Sequence, residues 1–400
     1  HFPAPIPVDR DDLVVTELGQ VGTQFDAFSH QTIGDSMYNC FRRDEIITRS
    51  GFTALGVENV GALMTRGVLI DVAELKGVEM LPIAYEITIE DLQQALARQE
   101  VSLEPGDAIL LRELHWGPYN TIAKECGITT ATWPLHGEDS QIDEEALTSM
   151  LSQLMKDQDK ILSWLNDPAH NPTGMSLTSE SRERVLTIFA EAAANNPDKG
   201  VTLFIDGAYA AYSKERHGWG DTLSEFAKEC IWPGNLLVCY GFSASKSHTL
   251  YGQRCGALVM MHPNRAFVDK LVEVMLHTGR GTWSGAARLP QATLHSIHSD
   301  VDKYVGWLRE RDRLHQMLDR RRELFNARCE KEGVPLLPSH DGYFAFLPHD
   351  TPEPVAQAAA SRGLYVVPLN GGIRIGLCSI PTYNADRAAG ILADAWRMSA

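Results

Sequence analysis

From about residue 150 the chain alternates short apolar runs with longer amphipathic segments, a rhythm that an α/β domain with a mainly parallel sheet satisfies. The runs are ILSWLN (161–166), VTLFID (201–206), LLVCYGF (236–242) and CGALVMM (255–261). Between two of them ESRERVLTIFAEAAANN (180–196) repeats its apolar positions every three to four residues, which predicts a helix with one buried face. In such sheets ligands gather at the carboxyl ends of the strands. Three of the runs end directly in polar, chemically able residues.

After about residue 290 the texture changes. A long charged amphipathic helix is followed by YFAFLP (343–348), a helix around PVAQAAASRG (354–363), the strand YVVPL (365–369), IRIGLCSI (373–380) and a last helix, which together predict a smaller α+β domain. Before residue 112 stand GVLIDVA, a helix in TIEDLQQALARQ (88–99), and the turn EPGD leading into the strand AILLREL. The predicted domains are 1–112, 113–290 and 291–400.

Composition excludes several classes. No window approaches the roughly 20 uninterrupted apolar residues of a membrane span, and the first residues lack the pattern of a signal peptide, so the expectation is no membrane partner and a cytoplasmic home. A net charge of −16 repels a phosphate backbone, so no nucleic-acid partner is expected. The one basic cluster, RERDRLHQMLDRRRELF (309–325), is interleaved with acids and reads as a solvated helix face. The seven cysteines are scattered and form no CxxC pair, which argues against a disulfide framework or a thiolate zinc site; most are expected to be buried as small apolar residues.

Chemistry concentrates in SASKSHTLYGQR (243–254), just past a predicted strand. A lysine used as a nucleophile must be partly desolvated or set near other cations, and Lys246 is a candidate on position; a solvated loop lysine is the alternative. Ser243, Ser245 and Arg254 are residue types that bind a phosphate through charge-assisted hydrogen bonds. Asp206 ends VTLFID and is followed by Tyr209, offering a carboxylate suited to a pyridinium nitrogen and a phenol; helix capping is the other reading of the aspartate. Asn171, Pro172 and Gly174 in DPAHNPTG form a tight turn able to present an amide to a ring oxygen.

Together HWGPYN (115–120), NPTG, DGAY, SASKSHTLYGQR, RGTWS (280–284) and GIRIG (372–376) resemble, in order, the fold type I aminotransferases that use pyridoxal 5′-phosphate, most closely the aspartate aminotransferase group. The resemblance covers residues 112–400. It implies that Lys246 captures the cofactor aldehyde and then shuttles the proton between the amino-acid α carbon and the cofactor. It further implies that Asp206 pairs with the pyridine nitrogen, Tyr209 and Asn171 with the phenolic oxygen, and Ser243, Ser245 and Arg254 with the phosphate. Trp116 matches the aromatic that stacks on the ring, and Arg374 the arginine that grips the substrate α-carboxylate. Arg280 matches the arginine that reaches across a homodimer to a side-chain carboxylate, although GTWSGAARLP departs from the usual proline-rich run. The implied reaction moves an amino group between an amino acid, dicarboxylic or aromatic, and a 2-oxo acid.

The resemblance fails upstream of Trp116, where the helical arm and phosphate-binding turn of such enzymes are not found; Gly22-Thr23 lies too far away. Residues 1–112 instead resemble the cyclase family of metal-dependent amide and ester hydrolases that includes bacterial kynurenine formamidases. The carrying residues are VGTQFDAFSH (21–30), YNCFRRDEI (38–46), TRGVLIDVA (65–73) and EPGDAILLR (104–112). That family implies Asp26 and His30 as ligands of a divalent metal, with Gln20 and Gln24 where many members have histidines. The fold class expected is therefore an aminotransferase-like α/β sheet domain with a smaller C-terminal α+β domain, preceded by a cyclase-like α/β fragment. The seam falls near residues 102–120, as in a chimera. The alternatives are a cyclase-type hydrolase and an inactive fusion of two incomplete enzymes.

Overall fold

A computed structural model describes residues 34–37, 41–48, 51–55, 72–78, 80–82, 85–98, 107–135, 142–229, 232–285 and 287–399. The chain divides into two units, His1–Thr65 and Arg66–Ala400. In the first, helix α1 (Arg43–Ile46) precedes strands β1 (Ile47–Thr48) and β2 (Gly51–Phe52), which pair antiparallel. Asp26 and His30 lie outside the described residues.

The second unit opens with α2 (Val72–Leu75) and α3 (Ile89–Arg98). There follow β3 (Ala108–Arg112), α4 (Pro118–Glu125), β4 (Thr129–Trp133), α5 (Glu144–Asp157), β5 (Lys160–Asn166), α6 (Ser179–Asn195) and β6 (Gly200–Asp206). The chain continues through α7 (Gly218–Glu229), β7 (Leu236–Ser243), the single turn α8 (Ala244–Ser247) and β8 (Gly256–Met261). The remaining elements are α9 (Arg265–Trp283), α10 (Arg288–His298), α11 (Val301–Lys331), β9 (Phe344–Pro348), α12 (Pro352–Ala360), β10 (Val367–Leu369), β11 (Gly372–Gly376) and α13 (Ala385–Arg397).

Six strands form one sheet in the order β4-β3-β5-β6-β7-β8, parallel except for β8, which runs antiparallel to β7. All four apolar runs of the sequence are strands of it, and the central β6 alternates Val201, Leu203 and Ile205 into the core. Those side chains meet Leu147 and Leu151 of α5, Leu186 and Phe189 of α6 and Trp219 of α7. Each such side chain, fully buried, contributes about 1.5–3 kcal/mol relative to exposure. Helices α5 and α6 begin where the sequence supplies a cap: Asp143 accepts from the Ala146 N–H at 2.9 Å and Thr178 from the Ser181 N–H at 3.1 Å. Strand β4 was not visible in sequence, because TTATW carries threonines where an apolar run is expected.

A second sheet, β10-β11-β9, is antiparallel and packs Ala345, Leu347, Ile373 and Ile375 against Phe325 of α11, Val355 of α12 and Leu392 of α13. Two expectations hold only in part here. The basic cluster is a solvated face along one side only: Arg309, Arg313 and Arg320 are exposed, whereas the other side of α11 buries His315, Leu318, Arg322 and Phe325, and the Arg322 guanidinium is satisfied by Asp319, Ser339 and the Gly342 carbonyl. Of the five described cysteines only Cys239 and Cys329 are buried, while Cys126 and Cys255 are half-buried and Cys378 is exposed. No helix among the described residues is long and apolar enough to cross a membrane.

Candidate active site

Register sets the floor of the site. Asn166, Asp206 and Gly241 are level across β5, β6 and β7, so the polar residues that end those strands emerge at one rim. Gly207 follows at once, and any Cβ there would lie 2.0 Å from the Tyr240 hydroxyl. The Asp206 carboxylate accepts from the Ala208 N–H at 3.0 Å through Oδ1 and from the Tyr119 hydroxyl, by a close hydrogen bond, through Oδ2. Burial pushes Asp206 above the ordinary carboxylate range, while the Tyr119 and Ala208 donors and the Lys246 charge favour its ionised form. Burial and the neighbouring carboxylate hold the Tyr119 phenol well above its usual pKa, so it remains a donor.

The turn after β5 is locked to the same rim. The Asn171 N–H donates to Asn166 Oδ1 at 2.7 Å, and Asn166 Nδ2 donates to the Asp206 carbonyl at 2.8 Å. Asn171 then joins two elements: its Nδ2 donates to the Tyr209 oxygen at 3.2 Å, and its Oδ1 accepts from Arg374 Nη1 of β11 at 3.0 Å. Gly174 closes the turn at φ +76°, and its carbonyl accepts from the N–H groups of His340 and Asp341. Burial moves the Tyr209 hydroxyl up to about 12, so it too stays protonated.

Lys246 stands on the single turn that follows β7, with Nζ 5.4 Å from the Tyr209 ring centre and 5.1 Å from that of Tyr251. Its pKa is lowered, first by burial and further by the Arg254 and Arg374 cations, against the opposing effects of Cys378 and Asp206. Arg254 adopts a left-handed backbone at φ 52° and donates from Nη1 to Ser245 Oγ at 3.4 Å and to the Tyr251 carbonyl at 2.9 Å. Ser243 ends β7 half-buried. Trp116, just before α4, is 40% exposed and meets the Tyr119 ring edge-on at 5.5 Å.

Thus Lys246, Asp206, Tyr209, Asn171 and Arg374 come together, Ser245 and Arg254 are bonded to each other, and Trp116 joins the group through Tyr119. Arg280 does not join it: it sits at the exposed end of α9 and donates to Ser284 Oγ at 2.7 Å. Sequence reasoning passed over Tyr119, which follows Trp116 by three positions in the quoted HWGPYN and so stands in the first turn of α4. It also passed over Tyr251 and over Cys378, whose thiol burial pushes up while the nearby Arg321, Lys246 and Arg374 cations act in the opposite direction.

The family model described as aminotransferase class I and II matches residues 91–392. The chain belongs to that family. A model described as putative cyclase matches residues 3–142, so the two overlap across the seam expected from sequence. An aromatic-amino-acid aminotransferase of Pseudomonas aeruginosa is 25% identical over 263 residues, 65% of this chain and 57% of the relative. A cytoplasmic aspartate aminotransferase of Dictyostelium discoideum is 23% identical over 214 residues, 52% of this chain and 44% of the relative. The chain therefore spans about half the length of these curated relatives. Among solved structures, an aminotransferase from Anaerococcus prevotii superposes with a TM-score of 0.69 at 27% identity, covering 73% of this chain and 70% of that one. An aromatic-amino-acid aminotransferase from Burkholderia pseudomallei, covalently bound to pyridoxal phosphate, gives 0.58 at 19% identity, with 73% and 70% covered. The fold of this aminotransferase-family chain is thus the fold type I α/β arrangement expected from its ordered motifs.

Proposed function

We propose that the protein is an aminotransferase that uses pyridoxal 5′-phosphate to move an amino group between an amino acid and a 2-oxo acid. The observation that carries this reading is the Lys246 amine, partly buried, depressed in pKa and facing Tyr209 beside Asp206. The donor set fits the cofactor: Asp206 for its ring nitrogen, Asn171 and Tyr209 for its phenolic oxygen, and Ser243, Ser245 and Arg254 for its phosphate, with Trp116 over the ring. When bound, the cofactor supplies the electron sink for a carbanion at the amino-acid α carbon. Lys246 would hold the cofactor aldehyde and, once the substrate amine displaces it, its freed neutral amine could accept the α-carbon proton and return it. Arg374 holds the substrate carboxylate through two parallel hydrogen bonds that a lysine cannot make. Adding that carboxylate and the phosphate offsets the mutual repulsion of Arg254, Arg374 and Lys246.

Specificity is for a dicarboxylic or aromatic amino acid, and the acid is favoured if Arg280 of a second copy reaches the site. A homodimer is supported by the exposed apolar side chains of β8 and α9, among them Leu258, Val259, Met275 and Leu276. We assign residues 113–290 to the cofactor-binding domain, 291–400 to the small domain and 1–112 to a cyclase-like fragment joined to them as a chimera, in a cytoplasmic protein.

The test is spectroscopic and chemical. Purified protein mixed with the cofactor should develop visible absorption that Lys246→Ala abolishes, and should convert glutamate or phenylalanine to the matching 2-oxo acid. Absence of both in soluble wild-type protein would sink the reading. The match of residues 3–142 to the putative cyclase family favours a second reading, a metal-dependent hydrolase using Asp26 and His30 with a divalent ion. Metal-dependent hydrolysis of a formylated amine, lost in His30→Ala, distinguishes it. An inactive fusion predicts neither activity.

A further inference from the structure

Helix α11 carries His315 and Asp319 four residues apart, so the two side chains share one face. Asp341, in the loop before β9, meets that face, and one ligand-type atom from each residue lies within 4.8 Å of the others. His315 is nine-tenths buried, and its Nε2, 3.5 Å from Asp319 Oδ2, has no hydrogen-bond partner among the described residues.

Lone pairs and charges sharpen this. Asp341 Oδ2 accepts from the hydroxyls of Ser176 and Ser213 at 2.9 and 2.8 Å, and among the described residues Oδ1 accepts only from the Lys214 N–H at 3.1 Å. A carboxylate oxygen has room for two donors, so Oδ1 keeps one free lone pair. Asp319 Oδ1 is taken by Arg322 Nη1 at 2.9 Å, which leaves Oδ2 turned to His315. Within this cluster Arg322 balances only one of the two carboxylates, and an unbalanced buried charge is costly. The free acceptor sites of an imidazole and two carboxylates therefore converge on a place short of positive charge.

We propose that His315, Asp319 and Asp341 form a binding site for a divalent transition-metal ion, zinc foremost. One nitrogen and two oxygen donors suit zinc, with water completing the shell. Zinc bonds of about 2.1 Å separate neighbouring ligands by roughly 3.4 Å, the spacing His315 and Asp319 already have, so Asp341 alone draws in. The site is structural. Through Ser176 and Ser213 it ties the loops that carry Asn171 and Tyr209 to the helix beneath the small sheet.

The test uses the full chain, loaded with pyridoxal phosphate and stripped with a chelator, and titrates it calorimetrically with zinc chloride. The parent is the double variant Asp26→Asn/His30→Gln, which removes the other candidate ligands. One zinc per chain should bind with micromolar or tighter affinity and raise the melting temperature, and His315→Gln or Asp319→Asn in that parent should weaken binding at least about tenfold. Failure of the parent to bind, or equal binding by folded His315→Gln, overturns the site. Should those variants not fold, cobalt(II) added to the parent decides: visible ligand-field bands of a four-coordinate ion support the site, and their absence refutes it.

Discussion

The Tyr119 hydroxyl donates to Oδ2 of Asp206, joining the first turn of α4 to the end of β6. A buried carboxylate tends to take up a proton, and a donor that cannot itself ionise near neutrality keeps it charged and aimed. Hydrogen bonds to charged groups are worth about 1.5–3 kcal/mol, so Tyr119→Phe should weaken cofactor binding roughly tenfold or more. Cofactor titration followed by protein fluorescence measures this, and the pH below which affinity falls should move upward in the variant.

Lys246 gives a second expectation. Burial and the nearby arginines lower its pKa, so the rate of cofactor capture should rise with pH and level off below the ordinary lysine value of 10.5. Lys246→Ala should remove covalent capture and reduce turnover by about 10³-fold or more. Stopped-flow absorbance against pH reads the first effect. Lys246→Met, which no longer holds a charge short of solvent, should melt higher than wild type.

Gly174 links the site to the small sheet. A Cβ there would stand 2.2 Å from the Phe344 carbonyl and 2.6 Å from Ser339 Oγ, on a backbone at φ +76°. Gly174→Ala should cost about 2–3 kcal/mol, seen as a lower urea midpoint, with weaker cofactor binding because Asn171 turns with it.

The sequence made the strands readable where apolar runs were continuous, as in β5 to β8, and the site readable where motifs follow those strands directly. What it hid was pairing across distance. Asp206 was legible as a strand-end carboxylate, but its partner Tyr119 lies 87 residues away in sequence. Arg322 looked like one more solvated arginine, because nothing local shows that the Ser339 hydroxyl and Gly342 carbonyl will enclose it. Cys378 read as part of an apolar strand, whereas β11 ends at Gly376 and a short 3₁₀ turn brings the thiol near Lys246.

Stability should also respond to pH through His248. Its ring stacks on Trp307 at 4.4 Å and its Nε2 meets His298 Nε2 at 3.0 Å, a contact that needs one lone pair and one N–H. Burial, with help from His298 and Arg311, lowers its pKa from 6.5 to about 4. Between those values the unfolded chain binds a proton that the folded chain does not, so this contribution falls as pH drops from 6.5 toward 4. Asp167 acts oppositely, since burial raises it to about 6 and the folded chain then holds the extra proton. The difference in melting temperature between wild type and His248→Gln, followed from pH 7 to pH 4.5, isolates the histidine and should shrink on acidification.

Strand β8 edges the large sheet, and the following helix α9 exposes Val274, Met275 and Leu276, the last at 68%. A stable protein interface buries about 1,200–2,000 Å² around an apolar centre, and charge there is costly because it loses water without gaining a partner. Leu276→Glu should therefore convert a dimer to monomers, read by light scattering after gel filtration, while leaving Asp206, Lys246 and cofactor capture in place. A wild-type chain that is monomeric at every concentration tested removes the dimer, and with it any role for Arg280 in a partner's site.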